Sequence, residues 1–231
     1  MVGDGESMRV GILYSGGKDS NIAMYKAYLQ GHEIACLITI IPTSDESMLF
    51  HYPNAVYTFI QAECLGLPLI SSICSSDEEG SLEELLAKAK DSFAIDGIVT
   101  GAIASRYQYE RFTSIASRVG LKHIAPCYGE DQLLHMKELL ANSLSVIITS
   151  VSAYGLDADM LGKLIDAQLL SKLRDLSIKY GFNISFEGGE AETFVLDMPL
   201  FRKRIAINGY TLHWDGVRGY LVFTDLSTED K

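Results

Sequence analysis

The stretch RVGILYSGGKDSNIAMYKAYLQG, residues 9–31, decides how the rest of the chain reads. RVGILY has the branched, apolar character of a strand, and KDSNIAMYKAYLQ that of a helix closed by Gly31. Between them lies Ser15-Gly16-Gly17-Lys18-Asp19-Ser20. Two adjacent glycines remove side chains where a polyanion must approach the backbone, and they allow positive φ. A helix that begins at about Lys18 or Asp19 points its free N–H groups and its dipole into the same loop. Ser15 and Ser20 add hydroxyl donors, and Lys18 adds a positive charge. Asp19 would repel a phosphate unless it caps the helix, orients Lys18 or helps hold Mg2+. The loop lacks the four-residue spacer of the familiar P-loop and is sized for one pyrophosphate group. A plain strand-to-helix turn shaped by Gly, Asp and Ser is the competing reading. Turn chemistry alone leaves the lysine and the two flanking hydroxyls unexplained.

Outward from this stretch the same rhythm repeats. EIACLITI (33–40), PLISSIC (68–74), GIVTGAI (97–103) and KHIAPC (122–127) read as strands. The helices between them are NAVYTFIQAECLG, ending at Gly66, SLEELLAKAKDSF, with Ser81 and Glu84 as a capping box, and RYQYERFTSIASRVG. The unbroken apolar run of the second strand suits burial on both faces. Such alternation predicts a doubly wound parallel sheet with helices on both faces, whose ligands bind beyond the carboxyl ends of the strands. The glycine loop and GAIASRYQ, which begins at Gly101, both lie at such ends.

After Cys127 the rhythm changes. DQLLHMKELLANS reads as a helix and SVIITSV as a strand leading into the loop SAYGLD. LGKLIDAQLLSKLRDLSIKYG is amphipathic, with Leu161, Leu164, Ile165, Leu169, Leu173 and Leu176 at helical spacing, which predicts core positions. The Gly- and Glu-rich FEGGEAETF follows, then short strands around RIAINGYTLHW and GYLVFTDL. A soft boundary falls near Cys127, dividing the chain into 8–127 and a smaller α+β domain over 128–231.

The chain has 231 residues, 48% of them hydrophobic, enough for a sizeable core. Its longest apolar runs are far shorter than the ~20 residues that span a bilayer. The acidic MVGDGES start is unlike a signal peptide, so no membrane partner and a cytoplasmic location are expected. Cys36, Cys64, Cys74 and Cys127 form no close pair, which predicts reduced, buried thiols rather than disulfides or zinc. A net charge of −11 argues against a large nucleic-acid partner, which is normally gripped through a basic surface.

SGGKDS resembles the PP-loop of the ATP pyrophosphatases, which cut ATP between its α- and β-phosphates. GAIASRYQYER (101–111), VSAYGLD (151–157) and above all EGGEAETFVLDMPLF (187–201) are similar to the motifs of one branch, the diphthine–ammonia ligase family. The resemblance runs from about Met8 to Phe201 and includes MLFHYPNA around His51 and Asn54. It implies an adenine-nucleotide α-hydrolase-like fold, with 8–127 binding ATP and 128–231 binding substrate. It also implies amidation of diphthine on translation elongation factor 2 by ammonium and ATP, through an acyl adenylate, releasing AMP and pyrophosphate. Ser15, Gly16, Gly17, Lys18, Asp19, Ser20 and Gly101 are then the candidates for binding ATP, with Asp19 also a ligand of Mg2+. Lys18, Asp19, Glu190 and Glu192 are the candidates for catalysis.

For substrate the resemblance nominates His51, Asn54, Ser105, Tyr107, Gln108, Arg111, Ser152, Tyr154 and Asp157. It adds Glu187, Gly188, Gly189, Glu190, Glu192 and Thr193 from the glutamate loop. Diphthine carries a fixed trimethylammonium, which acidic and aromatic side chains attract, and the glutamates can bind it, hold ammonium or take its proton. Tyr107, Gln108 and Arg111 read equally well as the start of a helix, and Gly155-Leu156-Asp157 as a plain turn. With no glutaminase module in the chain, free ammonium is the expected donor.

The sequence also departs from the family pattern. Phe186 stands where members often have Gly, and Ala191 where an aromatic is usual. PCYGED (126–131), with Tyr128 and Glu130, replaces a typical Trp-Gly-Arg-Asp run. Other readings share the loop: a PP-loop enzyme acting on another carboxylate, a small metabolite or tRNA, and a sensor that binds ATP or AMP without turnover. The acidic charge and missing cysteine pairs count against tRNA thiolation, and the clustered glutamates count against a sensor. A homodimer is among the assemblies the sequence allows.

Overall fold

The computed structural model describes residues 6–42, 54–74 and 77–231. Five strands, β1 (Arg9–Leu13), β2 (Glu33–Pro42), β3 (Leu69–Cys74), β4 (Gly97–Val99) and β5 (Lys122–Ile124), pair in parallel in the order β3-β2-β1-β4-β5. The helices α1 (Lys18–Leu29), α2 (Thr58–Leu65), α3 (Glu78–Phe93) and α4 (Arg106–Val119) alternate with them. Side-chain alternation explains the two-sided burial. Val10, Ile12, Leu37 and Val99 join one core, while Cys36, Ile38 and Ile98 join another beneath Leu82 and Leu86 of α3 and Ile115 of α4. The winding reverses between β1 and β4, and in doubly wound sheets ligands bind in the crevice beyond the carboxyl ends at such a reversal.

The remaining chain forms α5 (Gln132–Ala141), β6 (Ser145–Val151), α6 (Ala167–Tyr180), β7 (Ala191–Asp197), β8 (Lys203–Trp214) and β9 (Gly219–Asp230). Its strands make a second, antiparallel sheet in the order β7-β6-β9-β8. Ile148, Phe194, Val195 and Phe223 of that sheet pack into the same core as Val10, Ile12 and Ile22. The two sheets are therefore held by one continuous apolar interior, and β7 lies against α1. No helix among the described residues is long and apolar enough to cross a membrane.

Two helix starts differ from expectation. The α3 helix begins at Glu78, with Asp77 as its cap accepting from Gly80 N at 2.9 Å, so Ser81 and Glu84 lie inside it rather than forming a capping box. The amphipathic stretch from Leu161 becomes helical only at Ala167, after Asp166 accepts from Leu169 N at 2.7 Å. Leu161 and Ile165 are buried from extended backbone, whereas Leu164 bridges to Ile147 and is 48% exposed. A pattern with apolar residues at both positions 161 and 165 suits either conformation, and the Asp166 cap decides between them.

His123 on β5 is held in a definable tautomer. Its Nδ1 lies 2.7 Å from Thr113 Oγ1, and Thr113 donates its own hydroxyl hydrogen to Tyr109 O at 2.8 Å. Nδ1 therefore carries the proton, and Nε2, 2.8 Å from Thr100 Oγ1, accepts. Burial holds the pKa of this ring down at about 4, against 6.5 ordinarily. The unfolded chain takes up that proton first, so stability is lost as pH falls from about 6.5 to about 4, by about 3 kcal/mol. Urea midpoints at pH 7 and pH 4.5 are expected to converge in His123→Gln relative to the parent; an unchanged gap would refute the assignment.

Candidate active site

The loop of residues 15–20 is built as much by the second sheet as by its own sequence. Gly16 has φ +80, and a Cβ there would meet Gln61 Oε1 at 2.3 Å. The buried Gln61 donates Nε2 to Gly16 O at 2.9 Å and to Val195 O at 2.8 Å, and Val195 N donates to Gly16 O at 3.1 Å. Gly17 is the N-cap of α1, with Thr193 O 3.2 Å from where its Cβ would be. The first helical donor, Lys18 N, is capped by Thr193 Oγ1 at 3.0 Å. Gly17 has no side chain to act as a cap, so Thr193 supplies across the fold what a local Ser or Asp normally would. Gly101 closes the other side, since a Cβ on it would meet the backbone carbonyl carbon of Asp19 at 2.6 Å and Ser20 N at 2.8 Å. The hydroxyls of Ser15 and Ser20 face one another at 3.3 Å.

Lys18 is 3% exposed and its Nζ donates to both carboxylate oxygens of Asp19, at 2.9 and 2.7 Å. The ring of Phe186 covers the ammonium from 5.6 Å. Behind Asp19, the fully buried His135 of α5 places Nε2 2.9 Å from Oδ1. Burial opposes ionisation of Asp19, but Lys18 and His135 outweigh it and hold the carboxyl at about 2. Phe186 has φ +62, left-handed backbone that favours glycine and costs a bulky residue roughly 1–3 kcal/mol. Burial of the ring beside Lys18 offsets that strain.

The glutamate loop is braced by its own carboxylates. Glu187 accepts from three successive backbone donors after β4: Ile103 N at 2.7 Å, Ala104 N at 2.6 Å and Ser105 N at 3.2 Å. Ser105 in turn caps α4 through Gln108 N. Glu190 accepts from Asn183 N at 2.9 Å and Gly188 N at 2.8 Å, and Ser152 Oγ donates to Gly189 O at 2.6 Å. These bonds fix the loop over the crevice and engage both carboxylates with backbone. Glu192 stands on β7 beside Thr193. Glu187→Gln puts an amide nitrogen against backbone donors, so it is expected to lower stability by about 2 kcal/mol, as much as Glu187→Ala. Chemical denaturation checks this, and a neutral Glu187→Gln would count against the brace.

Other nominated residues lie at varying distance from this cluster. Tyr107 is half exposed, with the guanidinium of Arg111 4.8 Å above its ring, and Arg111 pairs with Glu79 of α3. Arg111 is thereby directed to the α3 side of the sheet, away from the loop. Tyr154, 83% exposed, meets Tyr180 edge-on at 5.1 Å, and Asp157 is exposed at the start of a short 3-10 turn. Asn54 opens another 3-10 turn, Asn54–Tyr57, and His51 lies outside the described residues. Of the departures, Ala191 is buried opposite Val151, Tyr128 stacks on Tyr109 at 4.1 Å, and Glu130 pairs with Lys26.

Sequence reasoning missed Gln61 and His135. Each is a buried polar residue on a largely apolar helix face, beside Ala62 and Cys64 in one case and Met136 and Leu139 in the other. That was the only signal either offered. The donor set suits a triphosphate with a divalent cation. It combines two hydroxyls, an ammonium, first-turn N–H groups of Asp19 and Ser20 that no helical carbonyl precedes, and a carboxylate held ionised.

Residues 8–123 match the family model of the diphthamide synthase N-terminal domain, and residues 131–227 that of the diphthamide synthase C-terminal domain. Diphthine–ammonia ligase of Danio rerio is 37% identical over 250 residues, covering 97% of this chain and 98% of the relative. The Bos taurus diphthine–ammonia ligase is 35% identical over 251 residues, covering 97% and 94%. Among solved structures, a predicted subunit of tRNA methyltransferase from Methanocaldococcus jannaschii is 16% identical with a TM-score of 0.43, covering 83% of this chain and 98% of that one.

Proposed function

Because this chain belongs to the diphthamide synthase family, we propose that it amidates diphthine on translation elongation factor 2 with ammonium and ATP, releasing AMP and pyrophosphate. The observation that carries the reading is the 3.0 Å hydrogen bond from Lys18 N to Thr193 Oγ1. Together with the Gly16–Val195 pairing, it joins the phosphate-type loop of the first sheet to the glutamate strand of the second. That junction supports a single site for a polyphosphate and a cation.

A carboxylate is inert to ammonia until one of its oxygens belongs to a good leaving group. In the reaction, a diphthine carboxylate oxygen attacks the α-phosphorus of ATP, and the α–β P–O bond breaks with its electron pair leaving on pyrophosphate. Ammonia nitrogen then attacks the acyl carbon, AMP departs with the bridging oxygen, and a proton passes from nitrogen to a carboxylate. The α1 N-terminus, Ser15 and Ser20 orient the β,γ-phosphates, and Lys18 transfers its ammonium from Asp19 to the departing charge. Asp19 would hold Mg2+, which supplies further neutralisation of that charge. Glu192 on β7 is assigned to hold ammonium or take its proton. The diphthine trimethylammonium is attracted by the acidic loop and the net charge of −11.

Incubation of diphthine-bearing elongation factor 2 with the protein, Mg-ATP and ammonium is expected to convert the carboxylate to the amide, read by peptide mass spectrometry. Glutamine is expected not to replace ammonium. Amide formed with glutamine alone, or no amide under either condition, would overturn the reading.

A further inference from the structure

A chain of buried and half-buried charges runs away from the loop, and the reaction as described does not use it. Asp19 Oδ1 receives two donors, Lys18 Nζ at 2.9 Å and His135 Nε2 at 2.9 Å, whereas Oδ2 receives Lys18 alone, at 2.7 Å. His135 has no solvent exposure, and its other nitrogen, Nδ1, lies 3.4 Å from Glu130 Oε2. Glu130 is held in turn by Lys26 of α1, which also pairs with Glu138 of α5 at 2.6 Å. The imidazole is thus fixed between two carboxylates, and one of those is anchored back onto the helix that carries Asp19. Cys127 belongs to the same cluster: its thiol, a Glu130 oxygen and a His135 nitrogen lie within 4.8 Å of one another. Lys26 engages Glu130 and the imidazole is turned to Asp19, so ion pairs organise this group rather than a cage for a cation of its own.

We propose that His135, braced by Glu130 and Lys26, is a positioning residue that locks Asp19 through Oδ1, so that Oδ2 is presented to a divalent cation when Lys18 moves to the phosphates. The asymmetry of the two oxygens supports this. Removing Lys18 from the pair leaves Oδ1 still bonded and Oδ2 unshared among the bonds seen here. A carboxylate held at one oxygen by an outer imidazole keeps its orientation, as outer hydrogen bonds do for metal ligands generally. The inference rests on the proposed function, since it gives Asp19 a cation to hold.

The test is calorimetric binding of Mn2+ in the presence of α,β-methylene ATP, with the nucleotide alone as a reference. His135→Leu, which keeps the buried volume without a donor, is expected to weaken Mn2+ binding at least about tenfold. Nucleotide affinity without metal should change little. His135→Gln retains an N–H for Asp19 and is expected to recover most of the loss. Glu130→Gln, at the half-exposed end of the chain, gives a smaller loss in the same direction and serves if His135→Leu fails to fold. Wild-type Mn2+ affinity in His135→Leu, or equal losses in the Leu and Gln variants that merely follow their melting temperatures, would overturn the inference while leaving the proposed function standing. Failure of the parent protein to bind the nucleotide at all would overturn both.

Discussion

Lys18→Met is expected to lower kcat for amidation about a thousandfold at saturating ATP and ammonium. The ammonium is 3% exposed beneath Phe186, with Asp19 as its partner, so it sits in surroundings where a charge acts more strongly than in water. Loss of one preorganised group that meets developing charge typically costs 10²–10³ in rate, and here the charge is a leaving pyrophosphate. Methionine fills the space under the Phe186 ring, which isolates the electrostatic loss from a cavity. Asp19 keeps His135, so the folding free energy should drop by no more than about 3 kcal/mol. Steady-state kinetics paired with a thermal melt separates the two effects. A folded Lys18→Met protein within tenfold of the parent rate would remove Lys18 from the chemistry.

The second large effect belongs to a residue with no side chain. In Gly101→Ala the new Cβ would meet Asp19 carbonyl carbon at 2.6 Å and Ser20 N at 2.8 Å, and neither atom belongs to a flexible side chain. Either the α1 start or the β4 loop must move by several tenths of an ångström or more. Overpacking of this kind costs about 1–3 kcal/mol, and displacement of positioned groups by about 1 Å can cost 10²-fold in rate. A stability loss of about 2 kcal/mol with a hundredfold fall in kcat/KM is therefore expected, measured by urea denaturation and initial rates. If activity stays near that of the parent, the close approach of Gly101 to α1 does not set the loop geometry. Sequence alone ranked Gly101 as a nucleotide contact, whereas its immediate neighbour in the structure is the helix backbone.

That difference illustrates what a linear reading can carry. The parallel sheet was legible because Val10, Ile12, Cys36, Ile38 and Leu37 encode two-sided burial through local alternation, and glycines end α2 and α4 in left-handed backbone. The phosphate-type loop was legible because its donors are consecutive. Relations across the fold were not. Thr193 caps a helix that begins 175 residues earlier, and His135 reaches Asp19 across 116 residues. Glu187 shows the limit most plainly. An acidic residue in a glycine-rich loop reads as a cation ligand, but three amides of residues 103–105 converge on it. Those donors lie 82 to 84 residues away in sequence, so only the fold brings them within reach. Phe186 was visible as a departure, while its φ of +62 is a property of the folded backbone.

Attack of a carboxylate oxygen on the α-phosphorus at this loop is the step on which the proposed reaction turns. Diphthine labelled with 18O in the side-chain carboxylate, incubated with the protein, Mg-ATP and ammonium, tests it directly. AMP is expected to accumulate with one labelled oxygen on its phosphate, in proportion to the amide formed. Unlabelled ADP with label in inorganic phosphate would mean attack at the γ-phosphorus and would refute the proposed chemistry.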